Sequence, residues 1–140
     1  MTTHRPLSSK NGKSVQLTGS CLCGKVSYRV NGIARDIVNC FCIQCRKTSG
    51  HHVAASRARK DQIEINDQNA LRWFESSKNT FRGFCKHCGG NLFWDGGNDD
   101  ELGIMAGTFD SPTSLETIEN IFVKDKSDYF EIPPLSGQSE

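Results

Sequence analysis

Seven cysteines fall in three groups along the 140-residue chain, and their spacing restricts the fold more than any other feature. Cys21-Leu22-Cys23 comes first, Cys40-Phe41-Cys42-Ile43-Gln44-Cys45 follows, and Cys85-Lys86-His87-Cys88 ends the series. Thiols two or three residues apart meet one metal ion only where the backbone turns sharply. The grouping divides as four plus three. Four thiolates close a tetrahedral zinc site and serve structure, whereas three leave one position for water or substrate.

An odd cysteine count suits a complete disulfide framework poorly. The stretch from Met1 to Lys10 carries no apolar segment of a secretory signal. No apolar run reaches the length of a membrane span, so no membrane partner is expected. We therefore expect a cytoplasmic, reducing setting, in which grouped cysteines serve as metal ligands. A net charge of +1 argues against a strongly basic nucleic-acid binder. The oligomeric state leaves no trace in the sequence.

The length fits one domain. Residues 1–14 are polar and read as a flexible tail, residues 15–132 as the domain, and residues 133–140 as a second flexible tail. Alternating segments predict strands over 15–20, 25–30, 61–65 and 70–75, with further strands at 37–40, 80–84, 91–94, 102–107 and 121–123. Residues 53–58 suit strand or helix by period, and the neighbouring strands favour strand. Asn31-Gly32 is a hairpin-turn signal. Residues 46–50 read as loop or one short helical turn, and 112–119 as loop or short helix. Many short strands with frequent turns predict a mainly β domain. Trp73, Phe74, Phe93 and Trp94 are expected to pack its sheets.

Gly24 follows Cys23, and Gly89-Gly90 follows Cys88; both supply conformations that side-chain-bearing residues resist. Cys21, Cys23, Cys85 and Cys88 thus read as two halves of one closed site stapling distant segments. Metal bound there contributes directly to folding. Cys40, Cys42 and Cys45 remain as three thiolates in one segment. A zinc there keeps a bound thiol or water deprotonated and nucleophilic. Arg46 and Lys47 follow at once and suit the carboxylates of an anionic thiol substrate. A second structural zinc, completed by His51 or His52, stands as the alternative. Ser49 and Gly50 argue against the long helix that a thioredoxin-like reading of Cys42 and Cys45 needs.

Gly19 to Gly24, Cys40 to Gly50 and Phe84 to Gly89 occur in the order of the glutathione-dependent formaldehyde-activating enzyme family, which centromere protein V also resembles. Gly107-Thr108-Phe109-Asp110 and the segment Ile121 to Phe130 resemble its closing segments. The family commonly has histidine where this chain has Phe41 and Asn120. The resemblance implies a β-tent of twisted antiparallel sheets. It implies two zinc ions, a structural one on Cys21, Cys23, Cys85 and Cys88 and a catalytic one on Cys40, Cys42 and Cys45. The implied activity is that of a carbon–sulfur lyase acting on glutathione adducts, with S-hydroxymethylglutathione as the type product. Arg46 and Lys47 would then bind substrate; no residue stands out as general base, and only closeness in sequence puts His51 or His52 forward. A non-catalytic, zinc-stapled binding or scaffold module is the rival reading.

Overall fold

Val15, Leu17 and Gly19 point inward while Ser14, Gln16 and Thr18 face solvent, so strand β1 (Gly12–Ser20) has one buried face. It pairs antiparallel along its whole length with β2 (Ser27–Arg35), from Gly12 opposite Arg35 to Ser20 opposite Ser27. The structure, a computed structural model, describes residues 5–66, 68–97 and 100–135. Ordered backbone starts earlier than the polar composition suggests. Residues 12–14 belong to β1, Arg5 forms an ion pair with Glu119, and the Leu7 amide donates to Glu101. Residues 1–4 and 136–140 of the expected tails lie outside the described residues, as do Asn98 and Asp99 of residues 96–100, whose glycines and acidic residues read as a turn.

Further strands follow in order: β3 (Ile37–Cys40), β4 (Val53–Arg59), β5 (Ile63–Ile65), β6 (Leu71–Ser77), β7 (Thr80–Cys85), β8 (Asn91–Asp95), β9 (Glu101–Met105) and β10 (Thr117–Ile121). Among the described residues they join one sheet, whose main path runs β1-β2-β4-β9-β8-β7-β6. The pairing is antiparallel except between β3 and β10, which run parallel. The mainly β, antiparallel expectation holds. Residues 53–58 are strand, because Ala55 to Arg59 pair with Met105 to Glu101.

The Asn31-Gly32 turn signal is overridden. Both residues lie inside β2, opposite Gln16 and Val15, and the hairpin turns instead through residues 21–26. Gly32 has φ +150°, and the Gln62 side chain sits where a β-carbon would project. Residues 117–121, partly expected as loop, form β10 by pairing with β3. Phe122 breaks that strand with φ +57°, an unusual conformation for a bulky residue.

The main core packs Val26, Val30, Leu92, Phe93 and Ile104, all almost fully buried, between the ends of the curled sheet. Tyr28 meets Phe93 edge-on at 5.4 Å and Phe109 at 6.0 Å. A second apolar cluster of Val38, Cys40, Cys45, Val53 and Ile121 surrounds the central cysteines. Phe93 is buried as expected, whereas Phe74 faces solvent on β6.

Candidate metal centres

The turn between β1 and β2 carries Cys21 and Cys23, and the turn between β7 and β8 carries Cys85 and Cys88. The curl of the sheet brings the two turns together, and their four sulfur atoms all lie within 4.8 Å of one another. Cys23 Sγ stands 3.7 Å from Cys21 Sγ and 3.7 Å from Cys85 Sγ. Sulfurs around a tetrahedral zinc with bonds of about 2.3 Å stand roughly 3.8 Å apart, so this donor set fits zinc. Backbone amides support the sulfurs: Val26 N–H points to Cys21 Sγ at 3.4 Å, and His87 N–H to Cys85 Sγ at 3.3 Å. Gly24 and Gly89, at φ +81° and +76°, supply the left-handed turns that aim those amides. Backbone amides of Cys23 and Gly90 hold the Cys88 thiol down to about 6. Although the Lys25 amide favours its thiolate, burial and the neighbouring thiols push Cys23 up to about 11.

The second group is built differently. Cys40 ends β3, Cys42 caps the N-terminus of helix α1 (Ile43–Ser49), and Cys45 lies in its first turn. Their sulfurs also fall within 4.8 Å of one another. Cys42 Sγ accepts the Cys45 amide at 3.4 Å, where a serine or aspartate oxygen usually caps. The helix starts at Ile43 and spans seven residues, longer than the single turn expected from residue 46. Thr48 and Ser49 hydroxyls bond back to the carbonyls of Gln44 and Cys45, and Gly50 ends the helix at φ +90°.

Arg82 of β7 reaches this group from 37 residues away. Both its terminal nitrogens lie 3.9 Å from Cys45 Sγ, and it also bonds Gln44, Thr48 and Ser76. It is buried. Hydrogen bonds from the Cys40 and Cys45 thiols, helped by Arg82, hold Cys42 far below the usual thiol range. Cys40 is pushed above that range, first by its bond to Cys42. Cys40 favours the Cys45 thiolate, but the bond to Cys42 and burial push Cys45 up to about 11. Cys42 is also the least buried of the three.

Neither His51 nor His52 joins the three sulfurs among the described residues. His51 Nδ1 bonds the Tyr129 hydroxyl, and its ring packs on Phe130. His52 stacks beside Phe41 at 4.8 Å, with Nδ1 buried and without a hydrogen-bond partner. Burial, then the charge of His51, lowers its pKa. Arg46 donates to Ser127 at 3.2 Å while its Nε is buried without a partner, and Lys47 is exposed on α1. The segment carrying Ser127, Tyr129 and Phe130 thus folds over α1.

Sequence reasoning missed Arg82, Tyr129 and Phe122, the last of which packs against the apolar residues around the central cysteines. Only the position of Arg82, three residues before Cys85, could have drawn notice. A cavity of about 40 Å³ lies against Cys40 and Cys45, lined also by Arg35, Arg57, Arg82 and Trp94.

Comparison with curated proteins gives no match. A crystal structure of a Rhodobacter sphaeroides protein, a structural-genomics target, matches with a TM-score of 0.59 at 19% identity. The match covers 72% of this chain and 99% of that one, and it shows a shared fold. The family model of the glutathione-dependent formaldehyde-activating enzyme matches residues 16–125. That span holds all seven cysteines and well over half of the sequence, and the chain belongs to the glutathione-dependent formaldehyde-activating enzyme family.

Proposed function

We propose that this chain is a zinc-dependent carbon–sulfur lyase of the cytoplasm that joins glutathione, or a related thiol, to a small carbonyl compound. The observation that carries the reading is the inequality of the two cysteine groups. One gathers four sulfurs; the other gathers three with no fourth histidine, cysteine or carboxylate among the described residues. Cys21, Cys23, Cys85 and Cys88 would hold a structural zinc. Cys40, Cys42 and Cys45 would hold a second, and zinc with an open position supplies Lewis acidity that favours the thiolate form of a substrate sulfur. Membership of a family described by glutathione and formaldehyde supports both reactants.

The chain's own residues prepare the site. Arg82 orients Cys45 and sets positive charge beside the sulfurs. Lys47 stands exposed on α1 and would suit a substrate carboxylate as a point charge. Arg46, bonded to Ser127, would add positive charge on the same helix. His51, bonded to Tyr129 at the edge of the site, is the candidate to carry the proton that leaves the thiol.

The test is metal analysis followed by nuclear magnetic resonance exchange between formaldehyde, glutathione and their adduct. Two zinc ions per chain and accelerated exchange are expected, with exchange returned to the uncatalysed rate in Cys42→Ser. One zinc per chain and no acceleration would leave a scaffold role instead.

A further inference from the structure

The chain that leaves β10 comes back to the residue it left from. Ile121 lies opposite Cys40 in the parallel pair, and its carbonyl accepts the Phe41 amide at 3.1 Å. Phe130, at the far end of the same segment, stacks its ring on the Phe41 ring at 6.0 Å and 29°. One end of residues 121–130 thus grips the backbone of Phe41, and the other end grips its side chain. Phe41 is the residue between Cys40 and Cys42, and it is 2% exposed.

The return path is fixed at several points. Phe122, at φ +57°, turns the chain out of β10, and the Asp125 amide closes the turn on the Phe122 carbonyl at 3.0 Å. A bulky residue keeps that conformation only where its surroundings hold it. Lys126 Nζ donates to the Phe130 carbonyl at 2.8 Å and lies 5.3 Å over the Phe130 ring. Arg46, directly after Cys45, donates to Ser127, and the Tyr129 hydroxyl bonds His51. The rings then form a closed circuit. Phe41 meets His52 at 4.8 Å, His52 meets His51 at 4.7 Å, His51 meets Phe130 at 4.6 Å, and Phe130 returns to Phe41. All four contacts fall in the range of favourable ring packing.

We propose that Phe130 is a positioning residue for the three-cysteine group: by clamping the Phe41 ring it fixes the backbone that spaces Cys40 from Cys42. Cys40 belongs to the end of β3 and Cys42 to the cap of α1, so Phe41 is the single link between two separately anchored ligands. Rotation about that link moves one sulfur relative to the other. A buried ring held in a circuit of three others resists the rotation. The same segment reaches the third ligand's neighbour through Ser127 and Arg46. Phe130 itself touches no sulfur in this role and acts only through Phe41. The assignment needs three sulfurs held in one arrangement, and it does not need the metal there to perform the proposed reaction.

Cobalt(II) in place of zinc makes the arrangement visible, because its absorption follows ligand number and geometry. The full chain, Phe130→Ala and the milder Phe130→Leu are loaded with cobalt and titrated with a competing chelator. Phe130→Ala should change the absorption of the three-cysteine site and weaken its cobalt by roughly tenfold or more, the size expected when a support behind metal ligands is removed. Phe130→Leu, which keeps apolar volume, should recover part of both. The four-cysteine site should keep its spectrum and affinity in each protein and so report an intact fold. Unchanged absorption and affinity at the three-cysteine site in Phe130→Ala would overturn the role. Equal weakening of both sites in Phe130→Leu would overturn it too, since general loss of packing gives that result. Uptake of a single cobalt by the unaltered chain would remove the catalytic-zinc reading instead. The clamp is then read from alkylation of Cys42 by iodoacetamide, located by mass spectrometry in the one-metal protein. Faster alkylation in Phe130→Ala supports the clamp, and an unchanged rate overturns it.

Discussion

Arg82 shows how one side chain can set the character of a sulfur cluster. A buried guanidinium must find acceptors, and this one finds Gln44, Thr48, Ser76 and the sulfur of Cys45. Three thiolates with one divalent metal carry a net negative charge, which a fixed cation beside them offsets. Partners of this kind orient metal ligands and typically change metal affinity by about 10–100-fold when removed. Arg82→Met should therefore weaken zinc at the three-cysteine site by roughly that factor, and Arg82→Lys should restore part of it by charge alone. Competition with a chromophoric chelator measures both. Equal affinities in all three proteins would reduce Arg82 to a packing residue. The sequence gives no hint of this contact, because it joins residues 37 positions apart through the curl of the sheet.

At the scale of elements, α1 is short, and Ile43, Cys45, Thr48 and Ser49 favour helix only weakly, so its ends matter. Cys42 caps one end through sulfur, and Gly50 caps the other with its amide bonded to the Arg46 carbonyl. A β-carbon at Gly50 would meet nothing within 4 Å, so a substitution there tests backbone conformation alone. Gly50→Ala should cost about 1 kcal/mol, or roughly 4 °C of melting temperature in a domain of this size. A melting temperature unchanged within error would show that α1 adds nothing to global stability. Strands with one buried face were legible because Val15 and Leu17 in β1, and Tyr28 and Val30 in β2, repeat at period two. The helix start was not, since a cysteine cap reads as a metal ligand and hides its second role. Nor was the Asn31-Gly32 passage: a local turn signal lost to nine paired positions with β1. Parallel pairing of β10 with β3 depends on contacts 80 residues apart, beyond any local pattern.

At the scale of the whole molecule, the two sulfur groups constrain very different lengths of chain. The four-cysteine group ties the β1–β2 turn to the β7–β8 turn, joining elements near opposite ends of the sheet path. Both halves of this pairing were legible, because cysteine spacing and following glycines report local turns whatever the fold between them. The three-cysteine group spans only residues 40–45 and ties a strand end to the adjacent helix. Structural zinc contributes an apparent binding free energy of about 10–16 kcal/mol in small modules, against a total domain stability of about 5–15 kcal/mol. With zinc bound in both, loss of metal from the four-cysteine group would be comparable to the whole stability of the domain, whereas loss from the three-cysteine group would relax one segment. If both groups hold zinc as proposed, stepwise chelation should proceed in two phases. The first equivalent should leave with the far-ultraviolet circular dichroism of the sheet intact, and the second should leave together with the strand signal. Release of both equivalents in one step, or unfolding with the first, would contradict the division of labour between the two groups. The order follows from geometry: a ligand set closed on all four sides and distributed over the fold must be broken by unfolding, while an open set on one segment need not be.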